Sequence, residues 1–272
     1  MENQTISILG CGWYGLAMAK ALVADGYDVN GSTTSEEKLE TFKKLNVKPY
    51  LINFDSESVN YDESFFNCAI LIISIPPKRN AQADYPGKIR NIALAAEKAK
   101  VKQVIFISST GIFQNGNFIV DEETIPEPNT TAGQVLLAAE KVLKENQAFS
   151  TTIIRFAGLI GPERNLAKHF AGKTDIANGL APINLIHLDD CMGITKAIIQ
   201  QKAFGNIYHG VTPSHPSRKE FYTQACLTSG FEKPAFIEEL LDWKQVESKN
   251  VAEILSYQFK IENWLVYAEI KH

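Results

Sequence analysis

Short apolar runs alternate with amphipathic stretches along the first 210 residues of the chain. Thr5–Leu9 is apolar and runs straight into glycines, after which Trp13–Ala24 places Leu16, Ala19, Leu22 and Val23 at helical spacing. The pattern predicts a strand, a tight turn and a helix. Gly26 ends that helix, Tyr27–Val29 begins a second strand, and the charged stretch Ser35–Leu45 predicts a helix capped by Ser35. Val47–Ile52 predicts a third strand. Cys68–Ile75, CAILIISI, is continuously apolar and too short for a core helix, so it predicts a strand buried on both faces and stopped by Pro76 and Pro77.

Tyr85–Ala99 sets Ile89, Ile92, Ala93, Ala95 and Ala96 among Lys88, Arg90, Glu97 and Lys98, which predicts a helix with one packed and one wet face. Val104–Ile107 predicts a fifth strand ending in Ser108, Ser109 and Thr110. Residues 111–131 carry loop composition with a small hairpin expected at Asn115–Gly116, followed by a helix over Ala132–Leu143 and a sixth strand over Thr151–Arg155. Beyond Gly161 the pattern loosens. It still predicts a strand at Asn184–His187, a helix at Asp189–Gln200, a last sheet strand at Asn206–His209 and a helix at Ser217–Gly230. Strands alternating with helices of this length predict an α/β fold with a doubly wound, mostly parallel Rossmann sheet. The expected organisation is a dinucleotide-binding core of residues 1–160 that also recruits 184–209, with 161–272 forming a small substrate-side lobe interwoven with it.

Charge and composition narrow the function. Lys and Arg number 27 against 31 Asp and Glu, a net charge of -4, which argues against a protein built around nucleic acid or an anionic membrane. Lys98, Lys100 and Lys102 read as a solvated turn. No apolar run reaches membrane-spanning length, and an acidic residue stands in MENQTISILG where a secretion signal would carry a basic one. Cys11, Cys68, Cys191 and Cys226 show no metal spacing and no disulfide framework, and the five scattered histidines suggest no zinc site. The expectation is a cytoplasmic protein with a small-molecule partner, no metal, no nucleic acid and no membrane; monomer and homodimer are both left open.

GCGWYG at Gly10–Gly15 has the spacing of a dinucleotide-binding loop and the required strand before and helix after. Gly10 permits the turn, Gly12 removes the side chain that would hold the backbone off a pyrophosphate, and Gly15 lets helix and strand pack closely. Trp13 and Tyr14 then belong to the helix start that faces the phosphates. An acidic residue usually reads the adenosine ribose about 20 residues after the first glycine. Here that stretch is Asn30, Gly31, Ser32, Thr33 and Thr34, without a carboxylate, so a 2'-phosphate meets no repulsion and NADP(H) is favoured over NAD(H).

The order of elements, the glycine loop, FISSTGIF at 106–113, LLAAEKVL at 136–143, RFAGLIGPER at 155–164 and IHLDD at 186–190 together resemble the extended and atypical short-chain dehydrogenase/reductase superfamily, of the NAD-dependent epimerase/dehydratase type. The resemblance covers nearly the whole chain and implies an NAD(P)-dependent oxidoreductase or epimerase-like enzyme acting on a small polar metabolite or sugar nucleotide. It implies a catalytic role for Ser109 and a supporting one for Asn91, and cofactor contacts at Ile75, Pro76, Pro77 and Ser108. Thr110, Arg155 and His187 fall on the substrate side. The family's Tyr-x-x-x-Lys pair is absent: Ala132 stands at the tyrosine position and Leu136 at the lysine position, and neither moves a proton. Tyr14, Tyr85, Glu122, Glu123 and Glu127 are the other groups nearby in the sequence pattern, and a non-catalytic NAD(P)-binding sensor or regulatory protein is the alternative.

Overall fold

The structure, a computed structural model, describes residues 5–55, 58–77 and 84–270. Residues 1–4 of the leader reading and His272 of the histidine count lie outside them. Strands β1 (Thr5–Leu9), β2 (Asp28–Thr33) and β3 (Lys48–Leu51) alternate with helices α1 (Trp13–Ala24) and α2 (Leu39–Lys44). A hairpin of β4 (Asn53–Asp55) and β5 (Ser58–Asn60) precedes β6 (Ile70–Ile73), α3 (Tyr85–Lys98) and β7 (Gln103–Ser109). Then follow β8 (Phe118–Val120), α4 (Thr131–Lys144), β9 (Ser150–Phe156), β10 (Gly158–Ile160), β11 (Leu185–His187), α5 (Leu188–Gln200) and β12 (Ile207–Gly210). The chain ends with α6 (Arg218–Thr228), β13 (Lys244–Val246), α7 (Lys249–Glu253) and α8 (Trp264–Ala268).

Seven strands form one sheet in the order β12-β9-β7-β6-β1-β2-β3. The pairings β1 with β2, β1 with β6, β2 with β3 and β6 with β7 are all parallel. This is the doubly wound Rossmann architecture that the alternation predicted. The chain leaves β1 toward β2 and β3, then restarts at β6 on the other side of β1, so the order reverses between β1 and β6. Ligands in such sheets bind in the crevice beyond the carboxyl ends at that reversal. Ile70 to Ile73 of β6 are all buried, as a strand between two covered faces requires. One apolar core, including Leu71, Ile73, Ile89, Ile92, Phe106 and Leu143, holds α3 and α4 against the sheet.

The described chain divides into two compact units, one of residues 1–112, 128–155 and 195–207, the other of 113–127, 156–194 and 208–272. The segment recruited by the first unit is thus 195–207, narrower than the expected 184–209. The strand Leu185–His187 belongs to the second unit and pairs with Gly158–Ile160 in a separate two-stranded ribbon and not with the large sheet. The second unit has its own core around Ile160, Leu185, Phe221 and Trp264.

Three local readings are corrected. The expected hairpin at Asn115–Gly116 is not formed: the Gly116 and Asn117 amides both donate to the Trp243 carbonyl, and β8 pairs in parallel with β13. A partner more than 120 residues away leaves no local sequence signal. The charged stretch 35–45 splits into a 3-10 turn at Glu36–Lys38 and the short α2, with no side-chain hydrogen bond from Ser35 at its start. The apolar run 68–75 contributes only Ile70–Ile73 as a strand, and Ser74 just beyond it braces the glycine loop through its hydroxyl.

Candidate functional site

In the first unit the glycine loop sits at the order reversal. Gly10 has φ +101, a left-handed conformation, and an added Cβ would lie 2.6 Å from Ile75 Cγ2. A Cβ on Gly15 would lie 2.3 Å from the Gly10 carbonyl oxygen, so only glycine lets α1 start this close to β1. Gly12 differs: it is exposed, and a Cβ there would meet nothing within 4 Å. The loop therefore has two glycines enforced by its own packing and one whose flank is open, next to the positive end of α1, where an anion is favoured.

The loop is held from both neighbouring strands. The Gly10 amide donates to Ser32 Oγ at 2.9 Å and the Cys11 amide to the Ser32 carbonyl at 2.9 Å. Ser74 Oγ donates to the Gly10 carbonyl at 2.7 Å. Ser74 escaped the sequence reading because its role depends on the pairing of β1 with β6; its one signal is a serine closing an apolar run. Ser32 is buried and its oxygen serves the loop, so among the expected ribose readers Thr33 and Thr34 are the more accessible. Cys11 is buried, and burial pushes its thiol up to about 12, so it is no nucleophile at neutral pH.

Several residues expected in the site do structural work. Tyr14 is buried and shares a 2.8 Å hydrogen bond with Thr195 Oγ1. Ser108 donates to Glu140 Oε1 at 2.6 Å, and Arg155 grips the same carboxylate through Nε at 3.1 Å and Nη2 at 2.8 Å. Arg155 is 3% exposed and Glu140 2%, so this guanidinium is engaged in a buried bidentate pair. The sequence signal for the pair was two opposite charges, each on an otherwise apolar face. Asn91 lies on the exposed side of α3, whose buried face is formed by Ile89, Ile92, Ala93, Ala95 and Ala96.

Ser109 is only partly buried at the end of β7, where its Oγ accepts the Gly111 amide at 3.0 Å; Thr110 beside it is buried. Ile75 and Pro77 are partly buried and Pro76 is exposed beyond β6. Tyr85 donates to the Ile75 carbonyl at 2.7 Å, and burial raises its phenol above the ordinary range. It braces this segment. On α4, Leu136 packs against the apolar core and Ala132 is half-buried, so neither position of the expected Tyr-x-x-x-Lys pair holds a polar group.

The second unit holds a cavity of about 1160 Å³ lined by Leu159–His169, His187, Asp189, Phe221, Ile261 and Tyr267, among others. Its walls come from different parts of the unit. Asp190, fully buried in α5, accepts the Tyr257 hydroxyl at 2.9 Å and the Lys260 and Ile261 amides at 2.7 and 3.2 Å, which fixes the segment that delivers Ile261. Gly193 is required beside it, since a Cβ would lie 2.0 Å from the Tyr257 hydroxyl oxygen. Glu122 is likewise structural: Oε1 accepts the His209 and Asn250 amides and Oε2 the Lys249 amide, while burial raises its pKa and these bonds partly offset the rise. Glu123 pairs with Lys249 at 2.8 Å.

Residues 10–180 match the NAD(P)H-binding family. The chain belongs to that family. The YeeZ protein of Escherichia coli strain K12 is 31% identical over 268 residues, covering 96% of this chain and 97% of the relative. Among solved structures, a conserved protein from Silicibacter pomeroyi superposes with a TM-score of 0.77 at 19% identity, covering 98% of this chain and 97% of that one. A UDP-glucuronic acid 4-epimerase from Bacillus cereus, in complex with NAD, superposes with a TM-score of 0.79 at 17% identity over 98% and 97% of the two chains. At that identity the structural likeness shows the fold, which is the epimerase and short-chain dehydrogenase/reductase fold that the motifs resembled. Membership of the NAD(P)H-binding family makes a nicotinamide cofactor the ligand of the chain. Among the described residues no helix is long and apolar enough to cross a membrane.

Proposed function

We propose that the chain is an NAD(P)-dependent oxidoreductase or epimerase-like enzyme of the cytoplasm, acting on a small polar metabolite or sugar nucleotide and preferring NADP(H) to NAD(H). The carrying observation is the open flank of Gly12 between two glycines that the packing requires. Gly10, Gly12, Trp13, Tyr14 and Gly15 would hold the pyrophosphate by their backbone, Thr33 and Thr34 would face the adenosine ribose, and Ile75, Pro76 and Pro77 would line the nicotinamide half. When bound, the nicotinamide supplies hydride transfer. The protein's own part is to orient the reacting oxygen, and Ser109 is the polar residue that keeps the family's position at the end of β7.

Two experiments test this reading. Purified protein with NADPH is screened for hydride transfer against sugar nucleotides, small ketones and hydroxy acids. Ser109→Ala should leave NADPH affinity nearly unchanged and lower turnover by about 10²-fold or more, the usual effect of disrupting a positioned proton-transfer partner. Unchanged turnover removes Ser109 from the mechanism. Cofactor choice is tested at Thr34, because Ser32 is occupied by the Gly10 amide and an aspartate there would disturb the loop itself. Thr34→Asp should narrow or reverse a preference for NADPH over NADH in competitive titrations, and an NADH preference in the unaltered protein contradicts the proposal. One observation favours a non-catalytic NAD(P)-binding sensor instead: the apolar Ala132 and Leu136. Cofactor binding with no hydride transfer to any compound screened is the outcome that reading expects.

A further inference from the structure

The chain leaving β6 borders the glycine loop within the first unit. Ligands of a doubly wound sheet lie beyond the carboxyl ends of the strands at the order reversal, here β1 and β6. The adenosine ribose of a dinucleotide is read at the tip of β2, on one side of β1, so the other half of the molecule extends over the carboxyl end of β6. The segment that follows β6 there contains Ile75, Pro76 and Pro77. Ile75 packs closely on the loop: a Cβ on Gly10 would lie 2.6 Å from its Cγ2 and 3.1 Å from its amide nitrogen.

Two prolines in succession decide how this segment is held. Proline has no N–H, so neither Pro76 nor Pro77 donates a backbone hydrogen bond, and the peptide groups 75–76 and 76–77 can be fixed only through their carbonyl oxygens. Among the described residues one hydrogen bond reaches the segment, from the Tyr85 hydroxyl to the Ile75 carbonyl at 2.7 Å. Tyr85 is buried at the first residue of α3 and belongs to the same apolar core as Ile89 and Ile92, against which Ile75 also packs. The hydroxyl thus stands on a helix anchored to the sheet. Its proton is engaged on that carbonyl, and burial holds the phenol above its ordinary pKa, so Tyr85 is not a replacement proton donor. What it controls is the direction of the peptide joining Ile75 to Pro76.

We propose that Tyr85 is a positioning residue for the nicotinamide half of the cofactor: by holding the Ile75 carbonyl it fixes the Ile75–Pro77 wall against which the ring lies. It acts through that wall and not by touching the ring. The proposal rests on the cofactor reading above and extends it to a residue outside the glycine loop. A wall fixed in advance removes the ordering cost that a loose segment adds to binding, and the gain is confined to the part of the ligand that meets the wall.

The test compares two ligands that differ in that part alone. NADPH carries the nicotinamide ring, whereas 2'-phospho-ADP-ribose has the same adenosine, pyrophosphate and second ribose without it; NADH and ADP-ribose form the equivalent pair. Each is titrated calorimetrically into the unaltered full chain and into Tyr85→Phe, which removes only the hydroxyl, with melting temperatures taken on both proteins. Tyr85→Phe should weaken NADPH about three- to ten-fold, the effect of losing one neutral hydrogen bond, and leave 2'-phospho-ADP-ribose within about two-fold. The emission of bound NADPH, which comes from the nicotinamide, should move toward that of the free cofactor. A merely structural role lowers the melting temperature and weakens both ligands alike. Equal losses for the two ligands therefore overturn the inference, as does unchanged NADPH affinity in Tyr85→Phe. Failure of the cofactor reading is distinct: the unaltered protein then binds none of the four ligands, and the inference falls with it.

Discussion

The residue that best separates architecture from chemistry is Glu140. It lies on α4, the helix that carries Ala132 and Leu136, is 2% exposed and receives Ser108 and both arms of the Arg155 fork. Two desolvated charges are costly to bury, and their attraction repays that cost only while both are present. Glu140→Ala should therefore destabilise the protein by about 3–5 kcal/mol, the usual cost of leaving one buried charge unpaired. Replacing the pair together by Glu140→Leu and Arg155→Met should recover much of that loss. Denaturant unfolding checks both, and a mild effect of Glu140→Ala would show that Arg155 finds another partner. At the same scale the sequence was only partly readable. The roles of Gly10 and Gly15 are local and were visible in their spacing, whereas Asn91 was placed by resemblance alone and lies on the exposed side of α3. Arg155 was placed on the substrate side by the resemblance, and nothing in its own strand announces the carboxylate 15 residues earlier on α4.

Among the elements, α6 shows how a boundary signal carries into the site. Ser217 caps it in a reciprocal box, accepting the Glu220 amide while Glu220 Oε2 accepts from the Ser217 amide at 2.9 Å and hydroxyl at 2.7 Å. The helix then delivers Phe221 and Ala225 to the cavity wall. The Ser217 hydrogen bonds hold the Glu220 carboxyl below its ordinary pKa. A depressed carboxyl contributes stability above its unfolded pKa and loses it as pH falls through the folded value, so this contribution disappears only in acid. Ser217→Ala should cost about 1 kcal/mol near neutral pH, and the difference from the unaltered protein should shrink as Glu220 protonates. Thermal unfolding across pH reads it, and a difference that grows in acid contradicts the box. Boundaries of α1, α3, α4 and α5 followed from apolar spacing and caps, to within a residue or two. The pairing of β8 with β13 and of β10 with β11 was not legible, since three-residue strands carry too little pattern and their partners are distant in sequence.

For the whole molecule, the doubly wound sheet was readable because strand and helix periods alternate along the chain, and its strand order brings β1 and β6 side by side as the fold requires. The division into units was harder to read: 113–127 belongs with the second unit and 195–207 with the first, and no linker composition marks those crossings. The glycine loop of the first unit is proposed to hold the nicotinamide cofactor. It makes opposite demands on two glycines one turn apart. Gly15→Ala should destabilise the fold by about 1–3 kcal/mol, the cost of overpacking, because the new methyl meets the Gly10 carbonyl oxygen at 2.3 Å. Gly12→Ala meets no atom within 4 Å and has a φ of -81, outside the left-handed region, so no overpacking of the fold is expected. The most direct measurement is therefore calorimetric titration of NADPH into Gly12→Ala and the unaltered protein, with melting temperatures taken on both. Saturable binding by the unaltered protein, weakened by at least about 1 kcal/mol in a variant of unchanged melting temperature, is the result expected from crowding the pyrophosphate. Equal NADPH affinity in the two proteins, or no saturable binding by the unaltered one, would contradict it.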